Sequence, residues 1–340
     1  MTEELRVGLI GAGRIGTSHA RVIAQRVPGS RLVAVADPRP GAAAVVTAEL
    51  GGHAYESPAA LVADPGVDAV VITASSVVHA ELVELAATAG KAVFCEKPMG
   101  MTLAEIERGI AAARDAGVPL QVGFNRRFDR GFAAAHGAVA AGVLGDVQLL
   151  RSLTRDPGLA DPGAVPPWTI FTQTLIHDFD TLNWLNPGAE PIEVYATAAA
   201  LIAPDFADAG LLDTAVVVIT YDNGARAVAE ASFSAAYGYD VRGEVFGSRG
   251  MITTGDGARS TARLFTAAGA AYDTARTDTE LMIDAYTAEF VEFGDAVRQG
   301  RRPAVSGLDA HRALAVAMAC IESVGAHAPA PVAPAPASAR

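Results

Sequence analysis

The stretch VGLIGAGRIGTSHARVI, beginning at Val7, constrains this chain more than any other. Gly11, Gly13 and Gly16 stand as G-x-G-x-x-G directly after an apolar run and at the head of a run with helical spacing. In a βαβ unit each glycine has its own task. Gly11 permits a tight turn, Gly13 lets backbone approach a pyrophosphate, and Gly16 lets helix and strand pack closely, with the anion resting on the helix N-terminus. Arg14 and Ile15 travel inside the motif and are expected beside the same ligand. A second apolar run, RLVAVAD, ends at Asp37, 21 residues after Gly16. An acid at that place accepts hydrogen bonds from adenosine ribose hydroxyls. Because Asp37 would repel a 2′-phosphate, the expected cofactor is NAD. NADP is the alternative, since Arg39 lies two residues on and softens that repulsion.

From residue 5 to about 125 the same grammar continues. The β-rich runs LRVGLI, RLVAVAD, DAVVIT, KAVFCE and LQVGF alternate with helical segments such as TLAEIERGIAAARDAG. Strands that are apolar throughout, separated by helices, predict a doubly wound parallel sheet covered on both faces. After residue 145 the pattern changes to strands joined by turns, among them DVQLLRSLT, IEVYATAAALI, TAVVVITYD and ARAVAEASFS, with a hairpin at YDNGAR. Helices there are few: LMIDAYTAEFVEFGDAVRQG and LDAHRALAVAMACIESVG come late. The expected plan is a Rossmann domain over 1–127 and an α+β domain with a mostly antiparallel open sheet over 128–325. The late helices are free to pack back on the first domain, and a flexible Pro/Ala-rich tail covers 326–340.

Charge and cysteines narrow the partners. A net charge of −12 argues against nucleic acid, which demands a dense basic surface. Cys95 and Cys320 are the only two cysteines, read as small buried hydrophobes with no disulfide framework or metal-ligand spacing. The strand starting within about six residues leaves no room for a signal peptide, and no apolar run approaches the roughly 20 residues of a membrane span. A cytoplasmic protein without a metal is expected.

Three pieces then stand together: GAGRIGTSHA at the start, GKAVFCEKPMG at 90–100 and TLIHDFDTLNWL at 174–185. With them the chain, over roughly residues 4 to 325, resembles the Gfo/Idh/MocA oxidoreductases, nearest to the inositol 2-dehydrogenase branch. The resemblance implies a Rossmann domain, a second domain whose open sheet builds a homodimer or homotetramer, and an NAD-dependent reaction. It also implies that Lys97 of EKP and His177 of the second domain meet beside the nicotinamide, with a cis Lys97–Pro98 peptide.

The residues themselves carry that chemistry. Lys97 follows a parallel strand at its carboxyl end, the edge where open α/β sheets bind ligands. An ammonium there stabilises the alkoxide that develops as hydride leaves a carbinol carbon. Leu175, Phe179 and Leu182 form one apolar helix stripe, whereas Gln173, His177, Asp180 and Trp184 recur on the other side. An imidazole with an ordinary pKa of about 6.5 suits taking a proton from a secondary alcohol. Gln173 departs from the inositol-type members, which usually carry aspartate four residues before the histidine. It keeps hydrogen-bonding capacity without charge, pointing to a substrate other than plain myo-inositol.

Further candidates surround these. By resemblance Arg127, Asp156 and Tyr237 bind polyol hydroxyls, although surface salt bridging explains Arg126 and Arg127 as well. Thr73, Ser75 and Glu96 are expected at the cofactor edge, and Trp168 and Tyr286 either line the pocket or pack in the core. His79 reads as packing. The expected activity is oxidation of a secondary hydroxyl on a cyclic polyol or sugar. Two other functions fit the same residues: NAD-assisted glycoside cleavage through transient oxidation, and a non-catalytic sensor of nucleotide and sugar.

Overall fold

The computed structural model describes residues 4–158 and 161–336. The first half alternates strand and helix as its pattern demands. The strands are β1 (Leu5–Ile10), β2 (Ser30–Ala36), β3 (His53–Tyr55), β4 (Ala69–Ile72), β5 (Ala92–Cys95) and β6 (Leu120–Val122). Between them run α1 (Arg14–Arg26), α2 (Ala42–Leu50), α3 (Pro58–Val62), α4 (His79–Thr88) and α5 (Leu103–Ala116). The sheet is parallel with order β3-β2-β1-β4-β5-β6. Every residue of β4 and β5 is buried, which is why those segments read as unbroken apolar runs. Helix α5 shows local sequence deciding both ends. Thr102 and Glu105 close a reciprocal capping box at its start, and Gly117 ends it in the left-handed conformation at φ 66°. The strand order reverses between β1 and β4, so ligands are expected at the carboxyl ends of these strands.

The second half contains α6 (Arg130–Ala140), β7 (Val147–Arg155), α7 (Ile176–Trp184), β8 (Pro191–Ala199), β9 (Thr214–Tyr221), β10 (Arg226–Ser232), β11 (Asp240–Gly247) and β12 (Gly250–Thr254). A small hairpin follows, β13 (Leu264–Thr266) and β14 (Gly269–Ala271), then α8 (Asp278–Leu281), α9 (Ile283–Gln299), α10 (Gly307–Ala326) and β15 (Ala330–Pro331). The larger sheet has the order β12-β11-β7-β10-β9-β8-β15. It is antiparallel except where β10 runs parallel to β7. Burial alternates along β9 and β10, as a sheet covered on one face requires. The expected hairpin is present: Tyr221 N–H donates to the Ala225 carbonyl across a turn in which Gly224 takes φ 90°.

Two boundaries differ from the sequence reading. The chain divides into two compact units, and the first combines the residues through Asn125 with Asp284–His311. The second holds Arg126–Ile283 and Arg312–Pro334. Helix α9 therefore belongs with the parallel sheet, because its apolar stripe (Tyr286, Phe290 and Phe293) is buried there beside Phe94. The tail is also corrected. Ala330 and Pro331 pair with Val194 and Glu193 of β8, and Ala330 and Val332 are buried. An edge strand tolerates proline where its nitrogen is not needed by the ladder, so a Pro/Ala composition did not preclude a strand. Residues 337–340 of the expected tail, and Leu159 and Ala160 of the loop before Trp168, lie outside the described residues. Cys95 and Cys320 are free and buried. Among the described residues no helix is long and apolar enough to cross a membrane.

Candidate active site

In the first unit the glycine motif opens α1 at the carboxyl end of β1. Gly11 takes φ 104°, and a Cβ there would lie 2.6 Å from the Ala74 nitrogen. A Cβ on Gly16 would collide with the Gly11 carbonyl oxygen. Gly13 is the opposite case: an added Cβ would meet nothing within 4 Å. Two glycines are thus required by the protein's own packing, and the third leaves the backbone open to an outside partner. Helix α1 has no side-chain cap on its first N–H groups and no acidic residue in its first turn. Arg14 and Ile15 occupy its first two positions, so an anion would meet a bare helix N-terminus. These features fit a dinucleotide pyrophosphate.

Asp37 follows β2 and is bound into the same loop. Its Oδ2 accepts the Ala12 N–H at 2.7 Å, and its carboxylate also accepts the Arg39 backbone N–H and both arms of the Arg39 guanidinium. The Arg39 hydrogen bonds hold Asp37 below the usual carboxylate range, against the effect of burial. Arg39, largely exposed, thus lies across the group expected to meet the ribose. Thr73 is buried and donates to the Gly11 carbonyl at 2.8 Å, tying β4 to the glycine turn. Ser75 is exposed two residues further on.

Lys97 follows β5 in a cis Lys97–Pro98 turn. Glu96 Oε2 accepts the Lys97 backbone N–H at 3.1 Å, while its Oε1 accepts from His19 Nε2 at 2.6 Å. Burial raises the Glu96 carboxyl, but the His19 hydrogen bond and the nearby Lys97 and His79 outweigh it, leaving Glu96 below its ordinary range. His79 is more than packing. Its Nδ1 lies 2.8 Å from the Pro98 carbonyl and its Nε2 3.0 Å from the Ala74 carbonyl. A neutral ring has one N–H, so only one carbonyl can be bonded at a time; a second proton would serve both, and burial opposes it by lowering the His79 pKa.

In the second unit the segment around His177 is not one α-helix. Ile170–Thr174 forms a π-helical turn, in which Leu175 N–H donates to the Ile170 carbonyl, and α7 begins only at Ile176. The inserted residue escapes a periodicity argument that assumes 3.6 residues per turn. Gln173, His177 and Trp184 are half-buried, but Asp180 is buried at 1% exposure, a correction to its expected place on an open polar face. The reason is Arg127, which grips Asp180 through Nε at 2.9 Å and Nη2 at 2.5 Å and stacks over the Trp184 ring. Beside it Arg126 donates to Asp178 at 2.7 Å, and Ser152 and Thr154 donate to the same carboxylate at 2.5 and 2.6 Å. Neither arginine forms a surface salt bridge; both fasten α7.

The other sequence candidates are spread through their units. Asp156 follows β7, its backbone pairing with Ser232 and Ala235. Tyr237 is 46% exposed and donates to Asp240 at 2.7 Å, with Arg155 3.4 Å away. Trp168 is half-buried at φ 61°, sparsely populated for a bulky residue, and stacks on Phe171. Tyr286 is core, 6% exposed with its ring 5.0 Å from that of His19. Sequence reasoning missed Asp178, Ser152, Thr154, His19 and Glu289. The signal existed for two of them: Ser152 and Thr154 alternate on the inward face of β7, where apolar residues are the rule.

A six-stranded parallel sheet with an open glycine cradle, joined to a mixed-sheet unit, defines a two-unit nucleotide-binding oxidoreductase. Residues 5–124 match the family described as an oxidoreductase family with an NAD-binding Rossmann fold, and residues 132–253 match the Gfo/Idh/MocA C-terminal domain. The myo-inositol 2-dehydrogenase of Thermotoga maritima is 39% identical, covering 94% of this chain and 96% of its own. The scyllo-inositol 2-dehydrogenase (NAD(+)) of Bacillus subtilis is 35% identical over 95% of both chains. Among solved structures, scyllo-inositol dehydrogenase from Lactobacillus casei with NAD(H) and scyllo-inositol superposes with a TM-score of 0.93 at 27% identity, covering 98% of this chain and all of that one. The chain belongs to the Gfo/Idh/MocA family and is an NAD-binding oxidoreductase acting on CH–OH groups.

Proposed function

We propose that the protein oxidises a secondary hydroxyl of a cyclic polyol of the inositol class, with Lys97 and His177 acting on the same oxygen. The carrying observation is the place of Lys97: the carboxyl end of β5, beside the strand where the sheet order reverses, in a turn held by Glu96. Relatives named for myo- and scyllo-inositol oxidation at 35–39% identity over nearly the whole chain support the substrate class. The Gly11–Gly16 turn and Asp37 would hold NAD, which would supply the hydride acceptor. The Lys97 ammonium stabilises the developing alkoxide, and His177 removes the hydroxyl proton. Arg127 and Asp180 set the height of α7 and so the imidazole's position. Gln173, Asp156, Tyr237 and Trp168 are assigned to substrate hydroxyls and the pocket wall.

The test is NADH formation across inositol isomers, aldoses and glycosides. Lys97→Ala and His177→Ala should each lose roughly a hundredfold or more in kcat while still binding NAD. Wild-type rates in either variant overturn the assignment. Turnover without net NADH would instead mark glycoside cleavage.

The open face of the second unit's sheet is assigned to self-association. Val218 lies opposite Tyr195, and Phe246 opposite both Leu149 and Met251; all six are at least 39% exposed when Val216 stands beside them. These apolar groups lie on either side of Arg226 in β10, and exposed apolar surface of this extent is unusual on a monomer. Val218→Glu should shift sedimentation toward the monomer; a parent protein that already sediments as a monomer rules the assignment out.

A further inference from the structure

Beneath the Lys97 turn lies a cluster that the proposed reaction does not use. His19 of α1, Glu96 and Glu289 of α9 are all buried, and one ligand-capable atom from each lies within 4.8 Å of the others. Glu96 is fully engaged, one oxygen to His19 and one to the Lys97 N–H. Neither carboxyl oxygen of Glu289 has a hydrogen-bond partner among the described residues, and the same is true of His19 Nδ1. Gln121 donates to the Glu289 backbone carbonyl at 3.0 Å and not to its side chain. The rings of Phe94, Tyr286 and Phe290 surround His19, their centroids 6.4, 5.0 and 4.9 Å from its own.

The charges close to Glu289 are few. Glu96 faces it from the residue after β5 and His19 from α1; Lys97 and His79 act on Glu96, and Glu292, one turn further along α9, is paired with Arg301. Two carboxylates at this separation inside an aromatic wall do not both ionise. Burial pushes Glu289 well above the usual carboxylate range, and the Glu96 charge adds to it. A divalent cation is the rival occupant. Tetrahedral zinc holds its ligand atoms about 3.3 Å apart, whereas His19 Nε2 and Glu96 Oε1 sit 2.6 Å apart with a proton between them.

We propose that His19, Glu96 and Glu289 form one cluster coupled by charge, with Glu289 its neutral acid, and that the cluster positions the Glu96–Lys97–Pro98 turn. The second clause rests on the reading of Lys97 given above. Glu289 is a positioning residue: it touches no substrate and acts through Glu96.

The experiment compares the full-length protein with Glu289→Gln, which keeps the shape and fixes the neutral state, and with Glu289→Ala. An unfolded glutamate ionises near about 4.3, whereas folded Glu289 keeps its proton. The folded parent therefore binds the extra proton, and its stability falls as pH rises through that window; Glu289→Gln escapes the loss. From about pH 5.5 to about pH 8 the Tm of Glu289→Gln minus that of the parent should climb by roughly 3 °C or more. A flat or falling difference overturns the proton assignment. For positioning, Glu289→Ala should lose about tenfold in kcat, more than in KM, with Glu289→Gln recovering most of it. A lowered Tm with unchanged kcat per folded molecule would reduce Glu289 to packing and overturn that clause. Stoichiometric zinc on elemental analysis of the purified protein would overturn both. The unfolding arm reads the proton whatever Lys97 does, so its failure is distinguishable from failure of the catalytic reading.

Discussion

Each of the two candidate catalytic side chains has a buried carboxylate as its neighbour in sequence: Glu96 before Lys97, and Asp178 after His177. The two anchors are built differently. Asp178 accepts from Arg126, Ser152 and Thr154, so an arginine, charged across any working pH, balances it. Glu96 is held by an imidazole in place of an arginine and crowded by a second carboxyl that burial pushes well above the usual carboxylate range. Burial of an acid does not by itself decide rigidity; the identity of the counter-group does. The α7 anchor should hold its geometry across the working pH range, and the turn after β5 should loosen as Glu289 loses its proton.

The largest effect is expected where the pairing is complete. Asp178→Ala leaves Arg126 buried without its counter-charge, an arrangement that costs about 3–5 kcal/mol. Thermal unfolding should show a Tm lower by roughly 4 °C or more, with little change in the size of that loss between mildly acidic and neutral pH. Replacing both partners by apolar residues, Arg126→Met with Asp178→Leu, should recover much of the loss, since the penalty belongs to the orphaned charge. An Asp178→Ala protein as stable as the parent would erase the contrast with the Glu96 cluster.

What the sequence made legible follows the same line. The parallel sheet, the glycine cradle and the antiparallel second sheet rest on periods and spacings that local chemistry enforces, and all are present. Gly11 and Gly16 were readable because their lack of a Cβ is a steric necessity. The anchors were not, because an ion pair such as Arg126–Asp178 joins residues 52 apart, and nothing local distinguishes a buried aspartate from an exposed one. Asp180 was misplaced because its burial comes from Arg127, 53 residues away in the chain, and not from the helical count. Glu289 sits on the apolar stripe of α9, where a charged residue reads as an interruption until the sheet brings Glu96 beneath it.

The mildest change is expected at the His177 end. With α7 fixed by arginines, the acid limb of kcat/KM should report the base alone, without a contribution from a titrating anchor. Gln173 stands one π-helical turn upstream and is half-buried, as His177 is. Gln173→Asp would add a carboxylate without changing the fastening of α7. A nearby anion favours imidazolium, so the acid limb of kcat/KM for polyol oxidation should move to higher pH by about one unit. Rates at alkaline pH should change little, and discrimination among inositol isomers should shift with the lost amide donors. If the pH–rate curve and the isomer preference both match the parent, Gln173 neither orients substrate nor sets the field at His177. The pH dependence of the reaction would then have to be sought on the Glu96 side, where Glu289 carries the proton.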